Sequence, residues 1–185
     1  MIKQVIVLSR SQIEYHIKQR VKPIDMPGLS WALISIYNTQ ELLTFENVDI
    51  LKALGCQEFL SMRFADITDK EIHKDLPIHY AKNLFTENQA RRIVAFVDQI
   101  NKLDIDILIV HCAAGISRSG AVGVFVTRYL KLDEAIFRQT NPQVTPNLYI
   151  LTTLNHVSGL YDGYEKFWET AENDRLRQRI QRIMS

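Results

Sequence analysis

The feature that most constrains this chain is the change of residue character between Leu108 and Gly120. An apolar run over residues 105–110, broken only by Asp106, ends at His111 and Cys112, which is typical of a buried strand that stops at a functional turn. The following residues are small or flexible, and an apolar pattern with helical spacing comes next: Ala121, Val122, Val124, Phe125 and Tyr129. The sequence therefore predicts a strand, a short loop and a helix in succession, with Cys112 where the strand meets the loop.

The chemistry of such a loop follows from its place at a helix N-terminus. Several backbone N–H groups and the positive end of the helix dipole point to one spot, which suits an oxyanion such as phosphate. The same field lowers a cysteine pKa from about 8.5 to roughly 3.5–7.5, so Cys112 is predicted to be a nucleophile at neutral pH. Arg118 can fold back and give a phosphate two parallel hydrogen bonds, which a lysine cannot. Gly115 permits the tight bend, and Ser119 can donate to the sulfur.

His111, Cys112, Arg118 and Ser119 form the pattern His-Cys-x5-Arg-Ser, with Gly115 inside it. This pattern resembles the phosphate loop of the cysteine-dependent protein tyrosine phosphatase superfamily, and the loop composition is similar to that of its dual-specificity branch and of small bacterial tyrosine phosphatases. The alternative is a small buried cysteine beside an ordinary arginine at a helix start. It is disfavoured because packing alone would not require the glycine, the arginine and both flanking elements together.

The resemblance implies several roles around the cysteine. His111 would support the loop and Cys112 through hydrogen bonds. The phosphate oxygens would be held by the arginine side chain and by the loop residues Ala113, Ala114, Gly115, Ile116, Ser117 and Arg118. No cofactor and no metal are implied, because the arginine and the amides supply the positive charge that a metal gives elsewhere.

Phosphate ester hydrolysis through a cysteine also needs a general acid for the departing oxygen and then a base for the attacking water, and one carboxyl group can serve as both. In the resembled family this group is an aspartate on a mobile loop upstream of the phosphate loop. Asp66, in Phe64-Ala65-Asp66 after the third predicted strand, is similar to the Phe-x-Asp of small bacterial members and is the candidate. Asp69 is the main competitor and Asp75 a weaker one. The alternative for each is a solvated or capping aspartate.

Asn147 is a supporting candidate. Pro146 and Asn147 resemble the Pro-Asn step that follows the catalytic helices in many dual-specificity relatives, where the asparagine approaches the active site. Asn147 can equally be the N-cap of a helix, and the two roles are compatible.

Strands and helices alternate along the chain, which predicts an α/β fold with a central, mostly parallel sheet flanked by helices and ligands at the carboxyl ends of the strands. The predicted strands cover residues 3–9, 31–37, 58–64 and 105–110. Helices are predicted at 45–54, after the caps Ser11 and Asp133, from Thr86, from near residue 147, and over about 161–184. We expect one domain over residues 1–185, a length that buries a full core without disulfides or metals.

Composition limits the partners and the compartment. Lys and Arg number 22 and Asp and Glu 21, so the chain as a whole gives no electrostatic case for a nucleic acid or a membrane partner. The basic residues of the last predicted helix are interpreted as a solvated face, with contact to an anionic surface or partner as the alternative. No apolar stretch approaches the ~20 residues of a membrane span, and the N-terminus lacks an apolar signal region. A cytoplasmic protein is expected, with export without a cleaved signal left open. A monomer is the favoured state.

The two cysteines, Cys56 and Cys112, have no metal-ligand spacing, and the proposed chemistry needs Cys112 to be free. A reducing compartment therefore fits best. Cys56 is predicted to be a packed core residue, with a disulfide to an oxidised Cys112 as the alternative.

The predicted function is metal-independent hydrolysis of phosphoprotein monoesters, of phosphotyrosine first, with phosphoserine and phosphothreonine as an open extension. Phosphoinositide phosphatases of this superfamily tend to carry lysines in the loop, and none is present between Cys112 and Arg118, so a lipid or other non-protein phosphate is the less favoured substrate. A second alternative is a catalytically weak module that binds phosphoproteins. Sulfur transfer of the rhodanese type is a weaker one, because those loops need not end in Arg-Ser.

Overall fold

The computed structural model describes residues 1–24, 28–38, 45–68 and 83–160. Four strands in this part of the chain form one sheet: β1 (Gln4–Ser9), β2 (Trp31–Tyr37), β3 (Cys56–Arg63) and β4 (Ile107–Cys112). Their order across the sheet is β1-β4-β2-β3, and each neighbouring pair is parallel. The predicted α/β fold with a parallel sheet is confirmed, and β4, which carries Cys112, lies between β1 and β2.

The strand ends differ from the prediction where polar residues continue the pairing. β3 begins at Cys56 rather than at residue 58, and β4 continues through His111 and Cys112. Leu8 lies opposite His111 and Ser9 lies opposite Cys112 in the register of β1 with β4. Backbone pairing does not depend on side-chain polarity, so the ladder extends past the apolar run. The carboxyl ends of β1 and β4 consequently lie side by side where the loop after Cys112 begins.

Six helices flank the sheet in the described residues: α1 (Arg10–Gln19), α2 (Phe45–Ala53), α3 (Glu87–Lys102), α4 (Arg118–Tyr129), α5 (Glu134–Thr140) and α6 (Leu148–Ser158). α1 and α2 pack on one face of the sheet, and α3 to α6 pack on the other. None of these described helices has both the length and the apolar character that a membrane crossing requires. The helix predicted over 161–184 lies outside the described residues.

Side-chain caps set the starts of the helices. Asp133 caps α5 as predicted, and Thr86, where a helix was predicted to begin, is the cap of α3; α1 is capped by Ser9 and not by Ser11. The backbone of Ser9 is extended, its hydroxyl accepts from the Gln12 N–H at 3.3 Å, and the Gln12 side chain accepts from the Ser9 N–H at 2.7 Å. This capping box satisfies two donors at once. α1 therefore begins directly at the end of β1, next to the loop that follows Cys112.

The sheet is buried on both faces, and its two central strands divide their side chains between two cores. The core under α3 to α6 takes Ala32, Ile34, Ile36, Leu108, Val110 and Cys112, and the core under α1 and α2 takes Trp31, Leu33, Ile107 and Ile109. Burial on both faces explains the nearly continuous apolar runs of these strands. Because successive side chains of a strand point to opposite faces, His111 and Cys112 face opposite sides of the sheet.

The outer edge of β1 is covered by the side chains of Asn141 and Gln143, of which Gln143 donates to the Val7 carbonyl at 3.1 Å. The Asn141 amide accepts a hydrogen bond from the Val7 N–H at 2.6 Å and donates to the carbonyls of Val5 at 3.1 Å and Phe137 at 2.8 Å. Asn141 is buried, so these bonds are shielded from water. The amide thus takes the place of a neighbouring strand on an edge that would otherwise present unpaired backbone groups.

We predict that Asn141→Ala lowers the free energy of unfolding by about 2–4 kcal/mol, because it leaves the buried N–H of Val7 and the buried carbonyl of Val5 without the partners that Asn141 provides. Thr140→Ala is the matched control. Thr140 is exposed and accepts only a 3.4 Å hydrogen bond from Gln4, so its loss should stay within about 0.5 kcal/mol. Urea unfolding followed by circular dichroism measures both variants. Equal losses would contradict the edge-covering role.

Candidate active site

Cys112 is the last residue of β4 and is buried. Burial is the largest influence on its thiol pKa and raises it, because a charged sulfur is poorly solvated in the interior. Hydrogen bonds from the Ser119 hydroxyl, at 3.0 Å from the sulfur, and from the amides of Ser119, Gly115 and Ile116 act in the opposite direction. They outweigh burial, so the Cys112 pKa lies below its ordinary value of 9.0. The geometry therefore favours a thiolate.

Gly115 allows the loop to rest directly on the end of β1. Its φ is +72°, and a Cβ at this position would lie 2.6 Å from the carbonyl carbon of Leu8 and from the nitrogen of Ser9. The Arg10 N–H also donates to the carbonyl of Ala113 at 3.2 Å. Backbone atoms cannot yield as a flexible side chain can, so only glycine fits here. This contact holds the loop amides in the positions from which they reach the sulfur.

Arg118 opens α4 and its side chain is buried beside the loop. One terminal nitrogen, Nη1, donates to the carbonyl of Phe64 at 2.9 Å. Its Nε is also buried and has no hydrogen-bond partner among the described residues. A fixed guanidinium with a free N–H next to converging amides is suited to a bidentate oxyanion.

Asp66 lies three residues beyond β3, at the rim of the same loop. Its Oδ1 accepts hydrogen bonds from the Ser117 hydroxyl at 2.8 Å and from the Asn147 side-chain amide at 2.9 Å. Its Oδ2 lies 3.9 Å from Nε of Arg118. The carboxylate is 37% exposed, so a ligand in the loop could reach it from solvent. Asp69 and Asp75 lie outside the described residues.

Asn147 has both of the roles that the sequence allowed, helix N-cap and contact with the site. Its Oδ1 accepts from the Ile150 N–H at 3.1 Å, which makes it the N-cap of α6. Its Nδ2 donates to Oδ1 of Asp66 and to the Ile67 carbonyl at 3.1 Å. One buried side chain therefore joins the start of α6 to the segment that carries Asp66.

His111 lies behind the loop, on the face of the sheet opposite to Cys112. Its Nε2 hydrogen-bonds the Ser35 hydroxyl, and the Tyr37 ring packs edge-on at 5.6 Å between centroids. Burial lowers the His111 pKa to about 4, because the interior disfavours the charged imidazolium. The imidazole is therefore neutral at pH 7.

Cys56 lies at the opposite end of the sheet. Its register partner on β2 is Trp31, which pairs with Ile107 at the start of β4, about 16 Å from Cys112 at about 3.3 Å per residue. A disulfide requires Cα atoms within about 7 Å, so the alternative of a Cys56–Cys112 bridge is wrong. Burial raises the Cys56 pKa to about 12, and its thiol donates to the Glu58 carbonyl at 3.2 Å. Cys56 is thus a packed, unreactive thiol.

The site contains three groups that sequence reasoning missed: the Ser35 hydroxyl, the Phe64 carbonyl and the Ser117 hydroxyl. The sequence contains a signal for Ser35, because a hydroxyl in an otherwise apolar buried strand needs a hydrogen-bond partner. The Phe64 carbonyl had none, since every residue carries one. Ser117 was considered for its backbone amide, and only the fold brings its hydroxyl to Asp66.

We predict that Gly115→Ala lowers the free energy of unfolding by about 2–5 kcal/mol, the sum of left-handed backbone strain and overlap with β1. Gly159→Ala is the matched control. Gly159 has nearly the same φ, +69°, but open space where a Cβ would be, so strain alone should cost about 1–2 kcal/mol. Thermal unfolding of both variants measures the difference. If the two variants lose the same stability, the loop does not depend on its contact with β1.

We predict a pH-dependent stability that His111 causes. Its pKa is about 4 in the folded protein and ordinarily 6.5, so the unfolded state binds more protons between these values. The free energy of unfolding should fall by about 3 kcal/mol from this residue as the pH falls from 6.5 to 4, and level off below. His111→Asn should remove this part of the slope in urea unfolding across that range. An unchanged slope would show that His111 is not buried in its neutral form.

No family model matches this chain, and no curated protein matches its sequence. Solved structures do match its fold. Tk-PTP in its active form aligns with a TM-score of 0.50 over 86% of this chain and 93% of that chain, at 17% identity. PTPMT1 in complex with PI(5)P gives a TM-score of 0.46 over 84% and 90% at 16% identity. The human tyrosine phosphatase-like serine/threonine/tyrosine-interacting protein gives 0.42 over 83% and 86% at 16% identity.

At such identities the likeness concerns the fold alone, and among these three only the Tk-PTP match is close enough to support an argument. It extends over nearly all of that chain. The sheet, the loop between its central strand β4 and α4, and this match show that the chain has the fold of the cysteine-dependent protein tyrosine phosphatase superfamily.

Proposed function

We propose that this protein is a metal-independent phosphatase that hydrolyses phosphomonoesters of proteins, phosphotyrosine above all, through a cysteinyl-phosphate intermediate. One observation carries the proposal: a thiol of lowered pKa, a buried arginine with a free N–H and a carboxylate surround one loop. Each group supplies what one step of the reaction needs.

In the first step the Cys112 thiolate attacks phosphorus, and the bond from phosphorus to the leaving oxygen breaks. The phosphoryl oxygens that develop charge are held by the loop amides and by Arg118, which the Phe64 carbonyl keeps in place. The leaving oxygen takes its proton from the Asp66 carboxyl group. Cysteinyl phosphate and a neutral alcohol result.

The hydrogen bonds of Asp66 favour one of its two oxygens for this transfer. Oδ1 already accepts from Ser117 and Asn147, whereas Oδ2 points towards Nε of Arg118, where the phosphate would bind. We infer that the proton is carried on Oδ2. Two donors on the other oxygen keep the carboxyl group from rotating, which a general acid requires for alignment with its substrate.

In the second step the same carboxylate, now deprotonated, accepts a proton from water while that water attacks the cysteinyl phosphate. The bond from phosphorus to sulfur breaks, inorganic phosphate leaves, and Cys112 departs as a thiolate. The Ser119 hydroxyl, 3.0 Å from the sulfur, stabilises that charge.

The loop composition supports a protein substrate over a multiply phosphorylated one. The side chains between Cys112 and Arg118 are those of Ala113, Ala114, Ile116 and Ser117, which carry no cationic group for a second phosphate. Ile116 is 39% exposed and adds an apolar surface at the loop. A leaving group with an apolar body, such as a tyrosine side chain, suits this surface better than a polyanion.

We predict that the full chain hydrolyses p-nitrophenyl phosphate and a phosphotyrosine peptide in the presence of a chelator, and that Cys112→Ser abolishes both activities. Asp66→Asn should lower kcat for the peptide by about 10²–10⁴-fold, and by less for p-nitrophenyl phosphate, whose leaving group needs little protonation. Steady-state kinetics measure both. Asp49→Asn, at an exposed position on α2, is the control and should match wild type.

Two outcomes would contradict parts of the proposal. If Asp69→Asn loses the peptide reaction while Asp66→Asn keeps it, the general acid is Asp69 and the assignment of Asp66 is wrong. If wild type is inert on both substrates while Cys112→Ser retains the phosphopeptide in a binding assay, the protein is a phosphoprotein-binding module and not an enzyme.

A further inference from the structure

Ser35 is a polar residue in the middle of an apolar strand. Its neighbours in β2, Ile34 and Ile36, are buried, and Ser35 itself has no solvent exposure. A hydroxyl buried without a partner destabilises the folded protein, so serine at this position is expected to make a hydrogen bond. Its partner is Nε2 of His111, the residue that precedes Cys112.

The sheet register makes this contact direct. Ser35 lies opposite His111 on β4 and opposite Ser61 on β3. Side chains at the same level of parallel neighbouring strands point to the same face, so the hydroxyl and the imidazole meet behind the loop. Tyr37 packs against one side of the ring, and no described atom has hydrogen-bond geometry to Nδ1. Among the described side chains, the Ser35 hydroxyl is therefore the hydrogen-bond partner of the ring, which also interacts with the backbone of Cys112.

Charged groups near the ring come from α1. Burial has the largest effect on the ring, followed by an interaction with the Cys112 backbone that favours the imidazolium; Arg10 disfavours the imidazolium and Glu14 favours it, both to a smaller extent. Arg10 and Glu14 form an ion pair with each other at 2.6 Å. The ring consequently stays neutral, and its hydrogen bond with Ser35 contributes to which nitrogen holds the proton and to how the ring is oriented.

We propose that Ser35 is a positioning residue that acts through His111: by fixing the imidazole, it fixes the peptide unit shared with Cys112 and thus the start of the loop whose amides hold the thiolate. The proposal rests on the proposed function only in taking Cys112 as the nucleophile. The sulfur accepts hydrogen bonds from amides further along the loop, those of Gly115 and Ile116. A small rotation at the start of the loop therefore changes the geometry of these hydrogen bonds. Without the Ser35 hydroxyl, the loop amides stabilise the Cys112 thiolate less well.

The test measures the reactivity of the Cys112 thiolate and not catalytic turnover. Full-length protein is alkylated with iodoacetamide across the pH range 5 to 9, and mass spectrometry follows labelling at Cys112. Burial raises the Cys56 pKa to about 12, so almost no Cys56 thiolate forms between pH 5 and 9 in a folded variant, and labelling of Cys56 reports unfolding within the same sample. Ser35→Ala should slow the alkylation of Cys112 roughly two- to tenfold at low pH, which corresponds to one hydrogen bond, and leave the plateau rate at high pH unchanged.

Three comparisons separate positioning from packing. Ser61→Ala, in the same row of the sheet, should match wild type. In a His111→Ala background, Ser35→Ala should have no further effect, because the hydroxyl acts through the ring. Cys112 should be alkylated faster in Ser35→Thr than in Ser35→Val at low pH, since these two side chains share a shape and differ in the hydroxyl. If Ser35→Ala unfolds, this pair of variants tests the role of the hydroxyl instead.

The proposal is overturned if Ser35→Ala labels like wild type at every pH, if its effect persists without His111, or if Thr and Val at this position behave alike. Failure of the proposed function would look different. Wild type would then be inert on p-nitrophenyl phosphate while the alkylation of Cys112 still depended on Ser35.

Discussion

The site depends on a competition between burial and hydrogen bonding at one sulfur atom. Burying a thiol raises its pKa, and burial raises that of Cys56 to about 12. At Cys112 the loop amides and the Ser119 hydroxyl reverse this effect. The two cysteines differ in the balance of these effects: backbone hydrogen bonds at Glu58 and Leu33 do not offset the burial of Cys56, whereas the Ser119 hydroxyl and the loop amides outweigh the burial of Cys112. The close approach of Gly115 to β1 and the short connection into α4 serve to bring those donors together.

The parallel sheet makes this arrangement possible. Its strands end at the same edge, so the start of α1, the loop after β4 and the segment after β3 that carries Asp66 lie close together. The period of two along β4 sends Cys112 to one face and His111 to the other. The reactive groups thus lie on the face of α4 and α6, and the Ser35–His111 pair supports the loop from the face of α1.

Much of this could be predicted from local patterns. The alternation of strands and helices indicated a parallel α/β sheet, and the change from an apolar run to small residues at Cys112 indicated the loop. The caps at Thr86, Asp133 and Asn147 follow from residue type and position. The cap of α1 was misplaced at Ser11, because Ser9 and Ser11 are both good caps and only the end of β1 selects Ser9. The ambiguity between Asp66 and Asp69 has the same origin, since both follow the third strand.

The sequence by itself determined the chemistry that depends on neighbours along the chain: a cysteine at a strand end, a glycine bend and an arginine at the start of a helix. Only the tertiary structure decided which distant groups meet it. The Phe64 carbonyl holds Arg118, Asn147 holds Asp66, and Ser35 holds His111, in each case between residues far apart in sequence. Such contacts are set by strand order and register, which result from packing of the whole sheet and are not encoded in any short segment.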